Sequence, residues 1–133
     1  MSEQEYKMPA HGAFCWNELA TRDAEAAKKF YAQLLGWDLK ESNAAGMQYT
    51  EIVVGGSHIG GIYNMPPEQG DMPSHWMAYV AVDDVDAAAK RTEELGGKVR
   101  VQPMDIPKVG RFCVINDPTG AALSLIKLQA PGS

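Results

Sequence analysis

The chain has 133 residues, 45% hydrophobic and 22% charged, with a formal net charge of −5. That is the size and make-up of one ordinary soluble domain, able to bury a core without staples. The acidic balance leaves no basic footprint for nucleic acid and favours neutral or cationic ligands over phosphorylated ones.

The opening segment MSEQEYKMPA is polar, with no signal-peptide core, and no later apolar run reaches the length of a membrane span. A cytoplasmic location is expected, with no membrane partner. His11 falls in this leader and reads as a surface residue. AFCWNEL (13–19) reads as a strand. Alternation puts Phe14, Trp16 and Glu18 on one face and Ala13, Cys15, Asn17 and Leu19 on the other. DAEAAKKFYAQLLGW then reads as a helix capped by Asp23, with Ala24, Ala27, Tyr31 and Leu34 drawing one apolar stripe and Gly36 as the stop. WDLKES, QYTEIVV, a Gly55-Gly56 turn and SHIGGIY follow as strand material. MPPEQGDMPS (65–74) holds three prolines and a glycine and reads as a linker, or as a mobile flap bringing Met65 and Met72 to a ligand.

The second half repeats the first. HWMAYVAV (75–82) is a strand, and DVDAAAKRTEELGGK is a helix capped by Asp84, 61 residues beyond Asp23. Val85, Ala88, Thr92 and Leu95 form its stripe and Gly96 its stop. GKVRVQP and GRFCVIN come next, then the Asp117-Pro118-Thr119-Gly120 turn and AALSLIKL. The two cysteines, Cys15 and Cys113, lie in apolar strands without metal-type spacing, so two buried reduced thiols are expected. The order β-α-β-β-β, twice over, predicts an α+β fold in one domain, residues 1–133. Module 1 covers about 12–64, the linker 65–74 and module 2 about 75–128, with curved mixed sheets around a cleft.

Asp23-x-Glu25-Ala26-Ala27-x-x-Phe30-Tyr31, Leu35-Gly36-Trp37, Asp84-x-x-Ala87-Ala88, Leu95-Gly96-Gly97 and Asp117-Pro118-x-Gly120 together resemble the vicinal oxygen chelate superfamily. That family groups glyoxalase I, extradiol dioxygenases and bleomycin-resistance proteins. The likeness runs from about Gly12 to Leu128, and WNEL and VGRFCVINDPTGA look closer to its non-enzymatic or uncharacterised glyoxalase-like branch. The resemblance implies a glyoxalase-like domain whose cleft is lined by one sheet face, and a homodimer.

In metal-using members, one ligand stands on the first and last strand of each module. Carried onto this chain, those positions are Trp16, Gly60, Met77 and Ser124. None offers the imidazole or carboxylate a divalent ion needs, so no metal and no cofactor are expected. A displaced set of Glu18, His58 and His75 is the alternative, with strand parity pairing His58 with Gly60 and His75 with Met77. Both histidines also read as solvated strand-start residues.

Phe14, Trp16, Met77 and Tyr79 suit a flat or apolar ligand, or form a second core. Glu18 beside two aromatic rings needs a partner or a raised pKa: it meets a ligand group or a substrate proton on one reading, and on the other it pairs with Arg111 or Tyr79 or lies at the wet end of the strand. The expected ligand-binding set is therefore Phe14, Trp16, Glu18, His58, Gly60, His75, Met77, Tyr79, Arg111 and Ser124. The expected function is binding an apolar or aromatic small molecule. Two alternatives stay open: a lyase, isomerase or dioxygenase using Glu18 or a displaced metal, and an interaction module with a collapsed cleft.

Overall fold

The structure is a computed structural model describing residues 8–42, 48–107 and 109–129. The first seven residues of the polar leader lie outside them. The described residues form two helices and eight strands in chain order: β1 (Phe14–Thr21), α1 (Ala24–Leu35), β2 (Asp38–Ser42), β3 (Tyr49–Val54), β4 (Ser57–Asn64), β5 (His75–Ala81), α2 (Val85–Glu94), β6 (Lys98–Ile106), β7 (Gly110–Asn116) and β8 (Ala122–Leu128). The fold is α+β, and β-α-β-β-β occurs twice. No helix among the described residues is long and apolar enough to cross a membrane.

The contacts divide the described residues into two compact units, one within 16–78 and the other within 79–129 together with 8–15. The leader joins the second unit because Gly12 N donates to Ala81 O and Ala81 N donates to Ala13 O. In the first unit the strand order is β2-β3-β4-β1, with β1 and β4 parallel and the other pairs antiparallel. In the second it is β5-β8-β7-β6, with β5 and β8 parallel.

The predicted caps are in place. Asp23 accepts from Ala26 N at 3.1 Å and Asp84 from Ala87 N at 3.0 Å, each satisfying a free amide of the first turn. Gly36 ends α1 in the left-handed region (φ 71°), its N–H returning to Ala32 O. Leu19, Ala24, Ile52 and Ile62 form the core of the first unit, with Ala27, Tyr31, Trp37 and Leu39 packed on it. Ile52 and Ile62 are the anchors, each 1% exposed and each contributing about 2 kcal/mol by burial. In the second unit Val82, Val85, Ala89, Cys113 and Leu125 do the same work.

Two expectations need correction. The last member of each helix stripe is not core: Leu34 and Leu95 are both 61% exposed, because each lies at a helix end beyond the packed turns. Cys113 is fully buried, but Cys15 only partly. The 65–74 segment follows β4. It contains a 3-10 turn, Pro67–Gln69. Arg22 anchors it to the β1–α1 corner, its guanidinium donating to the carbonyls of Gly70 and Met72, while Arg22 N donates to Ser74 Oγ. Met65 is buried, its N–H bound to Thr21 O.

Candidate functional site

The sheet of the first unit turns one face to α1. The other gathers a hydrogen-bonded chain. Trp16 Nε1 donates to Tyr49 Oη at 3.0 Å, and Tyr49 Oη donates to Glu18 Oε2 at 2.7 Å. Trp16 and Glu18 stand two apart on β1, as alternation requires. Tyr49 reaches them across β4 because that strand offers no obstacle: Gly61 lies opposite both Glu18 on β1 and Glu51 on β3. The Tyr49 hydroxyl occupies the space a Cβ at residue 61 would take. Tyr63 stacks on Tyr49, ring centroids 6.4 Å apart and planes 17° apart.

A β-bulge sets this arrangement. Ile52 lies opposite Gly60, but Val53 lies opposite His58, so Ile59 is an extra residue in β4. One extra residue reverses the alternation. His58 and Gly60, expected on one face, are thereby separated. His58 Nδ1 is 2.5 Å from Glu51 Oε1, on the Tyr49 side. Gly60 is turned to the helix side, where a Cβ would meet Asn17 O and Ile52. Gly61, not Gly60, shares the face of Glu18.

The remaining expected residues fall as follows. Phe14 opens β1 and is 72% exposed. His75 directs Nδ1 to Pro73 O at 2.8 Å. Met77 is half-buried on β5. Tyr79 is buried and lies opposite Ser124 in register. Ser124 is fully buried.

Arg111 is held by carboxylates of its own unit. It makes a two-pronged bond to Asp86 of α2 (2.8 and 2.9 Å) and a third to Asp105 at 3.1 Å. The hydrogen bond from Arg111 holds the Asp86 carboxyl below its ordinary range, and Asp86, then Asp105, raise the Arg111 guanidinium in turn. Arg111 borders a surface depression of about 310 Å³ with Asp105 and Lys127, where no aromatic ring takes part. Burial, then the charge of Asp86, pushes the Cys113 thiol up; burial does the same for Cys15.

Sequence reading missed Tyr49, Glu51, Gly61 and Tyr63 as companions of Glu18. Their signal was the alternation of QYTEIVV, which puts Tyr49 and Glu51 on one face; the bulge concealed Gly61 and Tyr63.

Among the described residues no three His, Cys, Asp or Glu side chains gather to hold an ion, so Glu18, His58 and His75 are not brought together as a displaced set. The four positions implied by the resemblance carry an indole, a bare glycine, a thioether and a hydroxyl. Exchanging Gly60 for Gly61 changes nothing. These donors do not fit a divalent ion.

Two helices and eight strands in repeated β-α-β-β-β order define a fold of paired βαβββ modules. Residues 13–125 match the Glyoxalase/Bleomycin resistance protein/Dioxygenase superfamily, and the chain belongs to it. It is 41% identical over 117 residues to "Putative glyoxylase CFP32" of Mycobacterium tuberculosis, covering 87% of this chain and 44% of that protein. It is 35% identical over 131 residues to the anthracycline biosynthesis protein DnrV of Streptomyces peucetius, covering 87% and 47%. The chain thus spans less than half the length of these relatives.

Methylmalonyl-CoA epimerase from M. tuberculosis shares the fold at a TM-score of 0.63 and 17% identity, covering 96% of this chain and 95% of that one. A variant of homoprotocatechuate 2,3-dioxygenase from B. fuscum does so at 0.63 and 17%, covering 92% and 34%.

Proposed function

We propose that the chain is a metal-independent small-molecule-binding member of the superfamily, acting in the cytoplasm by sequestering, conferring resistance or sensing. Its ligand is an apolar or aromatic molecule that lies on the Trp16, Tyr49 and Tyr63 face. One observation carries this reading: the Trp16–Tyr49–Glu18 chain sets a carboxylate among aromatic rings on a sheet face that the helix does not cover. Rings offer flat apolar area at low entropic cost, and a fixed carboxylate accepts from one donor group and so sets orientation. A name referring to anthracycline biosynthesis, borne by one relative, fits a flat aromatic ligand.

The test is a screen of flat aromatic fragments read by the Trp16 indole N–H resonance, repeated with Glu18→Gln. Hits that move this resonance and bind more weakly to the variant support the reading. A screen in which no fragment moves it sinks the reading and favours an interaction module.

A second reading has Glu18 as a general base of a lyase or isomerase, supported by the enzyme names among the relatives and fold neighbours. On that reading Glu18→Gln abolishes turnover and leaves affinity intact. We further propose that the chain pairs as a homodimer, since its relatives have room for two such domains in one chain. Light scattering at micromolar concentration checks this.

A further inference from the structure

Helix α1 carries on its outside what a solvated helix lacks. Phe30, Leu34 and Leu35 are each more than half exposed, and Trp76 of β5 is 41% exposed. These side chains are contiguous. Phe30 meets Tyr31 edge to face at 5.0 Å, and Tyr31 stacks on Trp37 at 5.3 Å. Trp76 stands edge-on to both Tyr31 (5.5 Å) and Trp37 (6.0 Å). Leu34 and Leu35 follow Phe30 and Tyr31 by four residues, one turn along the same helix. The Trp76 indole N–H donates to Tyr31 Oη at 3.2 Å, so the cluster satisfies that group itself and holds its rings in place.

The internal repeat is the control. The residues 61 positions beyond Phe30, Tyr31, Leu35 and Trp37 are Arg91, Thr92, Gly96 and Lys98, and 61 before Trp76 stands Cys15. Only Leu34 keeps an apolar counterpart, Leu95. Arg91 pairs with Glu94 along its own helix, as side chains do on a wet face. A βαβββ module is therefore complete without these rings, and a contiguous exposed apolar patch marks an interface.

The patch fits a second copy of itself. The exposed residues Ala26, Lys29, Phe30, Gln33 and Leu34 form one face of α1. About a two-fold axis beside Ala32, antiparallel helices set Phe30 against the partner's Leu34, and the reverse. Lys29 then comes over the C-terminal turn of the other α1, which has no basic residue of its own to meet its dipole. Four large side chains with about half their surface open offer about 400 Å² of apolar area. A standard interface takes about 800 Å² from each partner, a little over half of it apolar.

We propose that the α1 face around Phe30, Leu34, Leu35 and Trp76 is the surface on which two copies of this chain pair, helix against antiparallel helix. The inference names the surface of the homodimer proposed above and rests on that pairing. It does not depend on the sheet face binding a ligand.

The test is sedimentation of the full chain from about 1 to about 200 µM, wild type against Phe30→Arg. That variant borrows the residue the second helix carries at this place. Wild type dimerises in the micromolar range, and Phe30→Arg weakens pairing about a hundredfold, because a two-fold axis counts the substitution twice. Its melting temperature at about 1 µM stays within about 2 °C of wild type, since the residue is exposed in the monomer. Leu34→Glu gives the same loss of pairing should that variant fold poorly. Met104→Arg, at an exposed apolar residue of β6 outside the patch, leaves pairing unchanged. The indole N–H resonances of Trp37 and Trp76 move with wild-type concentration, and that of Trp16 does not. A dimer that survives both Phe30→Arg and Leu34→Glu overturns this surface and leaves the pairing standing. A wild type still monomeric at about 200 µM ends both, and binding of that monomer to vesicles of phosphatidylcholine and phosphatidylglycerol would assign the face to lipid instead.

Discussion

The hydroxyl of Tyr49 stands where the β-carbon of any residue but glycine at position 61 would stand, and from there it reaches Glu18 at 2.7 Å. Gly61 is therefore a positioning residue: its bareness lets a ring from β3 cross β4 and bond a carboxylate on β1. Gly61→Ala should displace the ring and destabilise the fold by about 2 kcal/mol. Tyr49→Ala removes both the hydroxyl and the ring carbons that a β-carbon at 61 would meet, so in that background Gly61→Ala should cost about 1 kcal/mol less by denaturant unfolding. Strictly additive losses would show that the two residues do not share the space.

Arg22 ties the 65–74 segment to the β1–α1 corner through exposed hydrogen bonds. Arg22→Ala should accelerate limited proteolysis between Met65 and Ser74 several-fold. Global stability should change by less than about 1 kcal/mol, since local opening and global unfolding draw on different contacts. Unchanged cleavage in this stretch would show that the bonds restrain nothing.

The Asp86–Arg111 pair gives a pH dependence of known sign. Asp86 has a folded value below its ordinary 3.8, so its contribution is present above that ordinary value and is lost as pH falls through the lower, folded one. Melting temperatures of Asp86→Asn should fall less steeply than those of wild type as pH drops below about 4. The difference should shrink at high salt, because the pair is exposed and screened. Superimposable curves would refute it.

Cys113 is fully buried and its thiol is raised by that burial, whereas Cys15 is partly accessible. In the native protein iodoacetamide should modify Cys15 and spare Cys113, and denaturant should expose the second thiol. Equal native rates at both sites would contradict the packing of the second core.

Local chemistry, readable residue by residue, fixed the doubled β-α-β-β-β plan in advance. Asp23 and Asp84 cap their helices through amides three residues away, the first three apolar positions of each stripe recur every three or four residues, and Gly36 ends a helix by its own backbone freedom. What the chain read alone did not supply was Tyr49 as a partner of Glu18. Tyr49 is 31 residues distant, and only strand pairing brings the two together. Tertiary structure also decided which glycine serves the site. Ile59 adds one residue to β4 opposite β3, and since side chains alternate with period two, that single addition sends Gly60 to the helix and gives Gly61 to the carboxylate.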